Sequence, residues 1–186
     1  MADSRMMAIN NLQSTIYKCL IRCLLRILGI DPGLRRTGYG LVDVAAQSSI
    51  KLIEVGTIEP SEKDLFENRI HKIHLNLEKI VREHSPDVMV LEKLYAHHKH
   101  PTTASLLGHV RGVICLLCAQ KKINLIEHSV KRIRKSLVGN GNATKEQTRS
   151  LVANLLKIKA EQLTLDASDA LALALGHAHM IRMKIL

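Results

Sequence analysis

Two short apolar runs in this chain each stop at a carboxylate, and that pairing limits what the chain can fold into more than any other feature. Ile27-Leu28-Gly29-Ile30 ends in Asp31-Pro32-Gly33, and Val88-Met89-Val90-Leu91 ends in Glu92. Unbroken apolar runs of this length are the pattern of strands buried on both faces, which need helices above and below them. Pro32 and Gly33 stop the first run and turn the chain. An unpaired carboxylate at such a place costs free energy. It is a poor packing residue, and a good one for holding a hard cation or accepting a proton.

A third segment repeats the theme on a helix. Leu165-Asp166-Ala167-Ser168-Asp169-Ala170-Leu171-Ala172-Leu173-Ala174-Leu175 has the composition and period of a helix. Asp166 and Asp169, three residues apart, project from one face. Ala167, Ser168 and Ala170 are small enough to let the helix approach a sheet closely. Three segments far apart in sequence thus offer four carboxylates, Asp31, Glu92, Asp166 and Asp169. That is the donor set of a magnesium site, because hard cations take oxygen ligands.

With 186 residues the chain is expected to form one folded unit, residues 26–186, behind a segment of uncertain status, residues 1–25. That segment has three readings: a transit-like leader, a start placed upstream of Met6 or Met7, or an added amphipathic helix. The net charge of +10 points to an anionic partner. A basic chain whose most constrained positions are acidic suits metal-dependent chemistry on a phosphodiester backbone. Of the four cysteines, Cys19, Cys23, Cys115 and Cys118, the last two form a Cys-x-x-Cys inside an apolar helix. With no second ligand pair they are read as buried free thiols, which implies a reducing cytosolic compartment. No stretch is expected to be long and apolar enough to span a bilayer, since Arg22 and Arg26 interrupt the only candidate.

The remaining pattern is a meander of three strands, at Ile27–Ile30, Thr37–Val44 and Ile50–Ile58. Ser61-Glu62-Lys63-Asp64 has the form of a helix N-cap, and the helix is expected to run to about Glu83 with Leu65, Ile70, Ile73, Leu77, Ile80 and Val81 on its apolar face. A strand at Val88–Leu91, a helix over 102–120, a strand over 124–127 and a short helix over 130–137 follow. Thr144-Lys145-Glu146-Gln147 is a capping box that starts another helix, and Asp166 opens the last. This order gives an α/β fold with a mixed five-stranded sheet, an antiparallel meander followed by parallel strands, flanked by helices.

An acid ending strand one, an acid ending strand four and an Asp-x-x-Asp helix resemble the ribonuclease H-like plan of nucleases and transposases. Within it, Ile30-Asp31-Pro32-Gly33-Leu34-Arg35-Arg36-Thr37-Gly38-Tyr39-Gly40 resembles the first motif of the RuvC family of bacterial Holliday junction resolvases. Leu91-Glu92-Lys93-Leu94-Tyr95, Leu106-Leu107-Gly108-His109-Val110-Arg111-Gly112, Val138-Gly139-Asn140-Gly141-Asn142-Ala143-Thr144-Lys145 and Asp166-Ala167-Ser168-Asp169-Ala170 are similar to its later motifs, in order, over roughly residues 26–182. The resemblance implies that Asp31, Glu92, Asp166 and Asp169 hold two Mg2+ ions, for which Mn2+ can substitute. It implies that Lys145 takes part in catalysis, that Arg134 is a basic residue used on DNA, and that Tyr95 packs on bases at the junction centre. It implies a homodimer acting on four-way junction DNA in the bacterial cytoplasm beside the RuvA–RuvB branch-migration proteins, away from any membrane. A Tyr in place of the family's usual Phe, and the N-terminal segment, are departures from the pattern.

Phosphodiester hydrolysis needs an activated water and a stabilised leaving oxygen, which two metal ions ~4 Å apart can supply. Holding two dications that close takes several carboxylates, which a lone Asp does not provide. Lys145 adds a positive charge for the developing negative charge on phosphate; as a lysine in the first turn of a helix it opposes the dipole. Backbone contacts are expected from Arg35, Arg36, Lys93, Lys99, Lys131, Arg132, Arg134 and Lys135, positioning DNA without reading bases. His97, His98, His100 and His109 are expected in a loop that meets phosphate, not in a zinc site. Gly139-x-Gly141 lacks the Gly-Lys-Ser/Thr ending of a P-loop. Two other readings compete: a catalytically silent junction-binding relative, and an actin- or sugar-kinase-like phosphotransferase, which needs a second domain that this length does not supply.

Overall fold

The computed structural model describes residues 24–45, 49–93 and 101–185. In chain order these form β1 (Leu24–Asp31), β2 (Thr37–Ala45), β3 (Ile50–Ile58), α1 (Phe66–His84), β4 (Val88–Glu92), α2 (Pro101–Lys121), β5 (Asn124–His128), α3 (Val130–Val138), α4 (Lys145–Leu156), a 3-10 turn at Ala160–Gln162 and α5 (Leu165–Ile185). The strands form one sheet in the order β3-β2-β1-β4-β5. β1, β2 and β3 pair antiparallel, while β4 lies parallel to β1 and β5 parallel to β4. The mixed five-stranded sheet expected from the sequence is therefore present. β1 begins at Leu24, and Leu25 is part of the core, so the folded unit takes in residues assigned above to the leading segment.

Alternation along the strands gives the sheet two cores. On one face Leu25, Ile27, Val88 and Val90 pack with Val42, Val44 and the inner sides of α3, α4 and α5. On the other, Leu28, Ile30, Met89 and Leu91 pack with Ile73 and Leu77 of α1 and Ile114 and Leu117 of α2. Asp31 continues the Leu25-Ile27-Gly29 face and Glu92 the Val88-Val90 face. The register Ile30↔Leu91 therefore puts both acids on the α5 side, at the ends of adjacent strands.

α5 lies almost on the backbone of β1 and β2. A Cβ on Gly29 would sit 2.1 Å from the carbonyl oxygen of Ala170, and one on Gly38 the same 2.1 Å from that of Asp166. Gly40 meets the Leu171 side chain in the same furrow. Ala167 and Ala170, as their size led one to expect, and Ala174 besides, complete the approach from the helix side.

An ion-pair network ties the far ends of the strands. Arg26 and Asp43 face each other across β1 and β2, with Nε 2.7 Å and Nη2 2.8 Å from the Asp43 oxygens. Arg26 Nη1 also donates to the carbonyl of His84, and its backbone N–H to Asp87. Next to it, Tyr39 Oη donates to Glu54, whose other oxygen meets His84 Nε2 at 2.6 Å.

Four sequence expectations are corrected. α1 starts at Phe66, not at Ser61, because the Ser61 hydroxyl and carbonyl accept from Lys63 and Asp64 in a local turn. Leu65 then stands outside the helix at its N-cap, 65% exposed. Cys118 is buried, but Cys115 is exposed on the outer side of α2. Finally, Thr102–Lys121 is long and apolar enough to cross a membrane by length and composition alone. In the fold it is an outer helix that sends Val110, Ile114 and Leu117 into the core and leaves Leu116 exposed.

Because Gly29 has backbone, not a flexible side chain, above it, Gly29→Ala is expected to destabilise the protein by about 3 kcal/mol in urea unfolding. An alanine variant of unchanged stability would show that α5 is seated elsewhere.

Candidate active site

The α5 approach sets Asp169 over the ends of β1 and β4. Asp31, Glu92 and Asp169 line one cleft of about 220 Å³ together with Lys145 and Arg134. Lys145 reaches it because Gly139, at φ 77°, ends α3 in a left-handed turn, after which the Thr144–Gln147 capping box starts α4. The box has both its hydrogen bonds: the Thr144 hydroxyl accepts from the N–H of Gln147, and Gln147 accepts from the N–H of Thr144. Lys145 Nζ lies 2.6 Å from Asp169 Oδ2. This pairing is the reason, sought above, for a lysine at a helix N-terminus.

Crowding of like charges governs the acids. Burial, followed by repulsion from Asp169 and Glu92, pushes the Asp31 carboxyl up to about 7. Burial and Asp169 raise Glu92, against the opposing pull of Lys145, Arg111 and Arg134. The hydrogen bond to Asp169 raises Lys145 and keeps it charged. Asp166 stands apart, at the rim, where Arg36 Nη1 approaches Oδ2 to 3.4 Å while Arg36 Nε holds Glu59 at 2.8 Å.

The four predicted carboxylates thus share one end of the sheet. They are not drawn together to ligating distance: among the described residues no three His, Cys, Asp or Glu side chains are gathered closely enough to hold an ion. The donor chemistry nevertheless fits a hard divalent cation. All donors are carboxylate oxygens, and the repulsion that raises Asp31 is what a dication would relieve.

The predicted DNA contacts are distributed unevenly. Arg134 lines the cleft, while Lys131, Arg132 and Lys135 lie exposed along α3. Arg35 is exposed and pairs with Glu62 at 2.9 Å, and Arg36 is engaged as above. Lys93 is exposed at the end of β4. Tyr95, Lys99, His97, His98 and His100 lie outside the described residues. His109 is not in that loop but on α2, where its ring meets Phe66 edge-on at 5.2 Å.

Two features escaped the sequence reading. His128, beside Glu92 in the β4–β5 register, meets His177 of α5 with ring nitrogens 2.9 Å apart, both buried under the site. Arg111, the single charge inside the apolar α2, bonds the carbonyl of Glu92 and the carboxylate of Glu127. A lone charge in an apolar helix is a legible signal of a buried partner, although the partner itself is not.

A mixed sheet with this strand order and a carboxylate cleft at the ends of its two central strands defines a ribonuclease H-like domain with a nuclease-type site. The chain belongs to the crossover junction endodeoxyribonuclease RuvC family, whose model matches residues 27–177. It is similar to the RuvC of Rhodopirellula baltica, 38% identical over 152 residues, 81% of this chain and 85% of that one. It is likewise similar to the RuvC of Bordetella avium, 41% identical over 155 residues, 83% of this chain and 84% of that one. Its fold is similar to Thermus thermophilus RuvC, with a TM-score of 0.77, 23% identity and coverage of 86% and 97% of the two chains. The same protein in complex with a Holliday junction substrate matches with a TM-score of 0.76 and 21% identity, over 86% and 96% of the chains.

Asp31 yields a pH prediction. Its value in the fold lies above that of an unfolded chain, about 4, so the folded state binds this proton more tightly. The associated stability is fully present below about pH 4 and is lost as pH rises through about 7. Asp31→Asn should therefore raise the melting temperature of the metal-free protein at pH 8 by about 3–6 °C, with little change at pH 4. A melting temperature lowered at pH 8 would refute the strained-carboxylate picture.

Proposed function

We propose that this chain is a structure-selective endodeoxyribonuclease that resolves Holliday junctions by paired, symmetric phosphodiester cleavage in homologous recombination and DNA repair. The observation that carries this reading is the single cleft in which Asp31, Glu92 and Asp169 meet Lys145 and Arg134. The family supports it, as does the four-way junction bound by the T. thermophilus relative.

Asp31, Glu92, Asp166 and Asp169 are the residues that would hold Mg2+, two ions per site, with Mn2+ able to substitute. When bound, the metal supplies an activated water and stabilises the leaving oxygen. The protein's own part is positioning and charge. Lys145 presents an ammonium that is kept protonated at the cleft, ready to face a phosphate oxygen in place of Asp169. Arg134, the exposed cations of α3 and Lys93 hold the backbone, and the family's pattern adds Lys99 to them and Tyr95 as the residue that packs on bases. Arg35 joins them on leaving Glu62, and Arg36 on leaving Glu59 and Asp166. Such contacts make binding fall steeply with salt.

A four-way junction has two-fold symmetry, so two symmetric nicks call for two sites related by the same axis. α2 supplies the surface: Gly108, Gly112, Cys115 and Ala119 are exposed on one side, both glycines with open space before them, and Leu116 lies beside them. A helix as apolar as a membrane span and only 22% buried is accounted for by a second copy packed on it. RuvA–RuvB are the partners the family implies, and the bacterial cytoplasm is the setting in which Cys115 and Cys118 stay thiols.

The decisive measurement is cleavage of a synthetic four-way junction with and without Mg2+. Symmetric nicking that needs the metal and vanishes in Asp31→Asn, with junction binding retained, supports the reading; cleavage persisting in Asp31→Asn sinks it. Binding without any cleavage by the unaltered protein would mark a silent relative. For the dimer, Gly112→Arg should convert a sedimenting dimer into a monomer that binds DNA but does not make paired nicks. A dimer that survives this change places the interface elsewhere.

A further inference from the structure

Arg111 is a charged side chain bonded to the backbone of a cleft residue, Glu92, and has no task in the proposed function. It lies in the middle of α2, on the side turned toward the sheet, with only 11% of its side chain exposed. Its guanidinium bridges two strands. Nη1 donates to the backbone carbonyl of Glu92 and Nη2 to the carboxylate of Glu127 on β5.

The geometry of the sheet decides what this bridge can do. Leu91 pairs with Glu127 and Glu92 with His128. Side chains alternate along a strand, so Glu127 points to the α2 face with Leu91 and Leu125, while Glu92 points to the α5 face. Arg111 approaches from the face opposite the cleft. It grips the main chain of Glu92 instead of its carboxylate, and leaves that carboxylate open to the cleft. From the β5 side, the N–H of Lys93 donates to the carbonyl of His128 at 2.8 Å. The end of β4 is therefore pinned from two sides at the residue where the strand stops.

Asp31 needs no comparable clamp. Gly38 on β2 pairs with it, as His128 on β5 pairs with Glu92, but a strand of eight residues carries it. β4 is only five residues long and ends at Glu92. The Lys93 N–H bond holds one side of the last peptide of β4, and the Arg111 bond adds a second anchor on the Glu92 carbonyl itself.

We propose that Arg111 is a positioning residue for Glu92: by bridging the Glu92 carbonyl to Glu127 it fixes the end of β4, so that the Glu92 carboxylate is held in the cleft beside Asp31 and Asp169. The proposal rests on Glu92 being one of the carboxylates that hold metal. A planar guanidinium with several donors can bond two acceptors at once in fixed geometry, whereas an ammonium keeps the charge without the fork. Lysine at this position should therefore preserve the charge and lose the clamp.

The probe is Mn2+ alone, titrated into the metal-free full chain and followed by its electron paramagnetic resonance signal, alongside unfolding midpoints and junction binding without metal. Arg111→Lys and Arg111→Gln should weaken Mn2+ binding about tenfold, the usual effect of removing a residue that orients a ligand. Junction binding without metal should stay unchanged. Cleavage at fixed Mg2+ should lose kcat with KM for the junction preserved. Glu127→Gln keeps the arginine and slackens its far anchor. It should weaken Mn2+ binding in the same direction by a smaller factor, which keeps the test open if the Arg111 variants fold poorly. In a Glu92→Gln background, Arg111→Gln should add nothing further. Folded Arg111→Lys, Arg111→Gln and Glu127→Gln proteins that bind Mn2+ as the parent does, and differ only in unfolding midpoint, would overturn the proposal. If Glu92→Gln itself leaves Mn2+ binding unchanged, the metal role of Glu92 fails instead, and the two failures are thereby told apart.

Discussion

The seating of α5 on a furrow of glycines is the contact from which the rest of the structure follows. Where a Cβ on Gly29 or Gly38 would stand, a backbone oxygen of α5 lies 2.1 Å away, so only hydrogen on the strand allows the helix to come this near. A helix held further from the sheet would carry Asp169 away from the strand ends. The close approach puts Asp169 into the cleft with Asp31 and Glu92. It also packs Leu171 and Leu175 against Ile27 and Val42 in one of the two cores. Precision at the site and burial in the core thus come from one contact.

The cleft is held under electrostatic tension. Three carboxylates face one space, and burial and mutual repulsion raise Asp31 and Glu92. Two cations moderate this without removing it. Lys145 takes Asp169, and Arg36 takes Asp166 at the rim. The cleft is in this way electrostatically disposed to a positive guest although its carboxylates stand short of ligating distance, and stability is given up there in return.

Much of this was legible in the sequence because it was written in periods and residue types. Unbroken apolar runs ending in Asp31 and Glu92, together with the Asp166–Asp169 spacing, specify strand ends and a helix face. The Thr144–Gln147 capping box behaved as its pattern says, because both its bonds are local. What was not legible depended on partners distant in sequence or on competition between local options. Ser61 has the look of a cap, yet its bonds close a turn and α1 begins at Phe66. Cys115 sits in an apolar helix and is still exposed, since periodicity marks a helix without saying which side has a neighbour. The clamp from Arg111 to Glu127 and the His128–His177 pair join residues brought together only by the order β1-β4-β5 and the fold of α5 over it.

The position of the acids along the chain has a consequence for synthesis. Asp31 and Glu92 leave the ribosome long before Asp166 and Asp169, which ride on the last helix of the described fold. Until α5 emerges, β1 and β2 have no lid over Gly29 and Gly38, and the cleft has only one wall. A nascent chain is therefore basic while still lacking Asp166 and Asp169, two of the four carboxylates of the proposed metal site. Topology alone delays the assembly of the proposed site until the last helix of the described fold has been made.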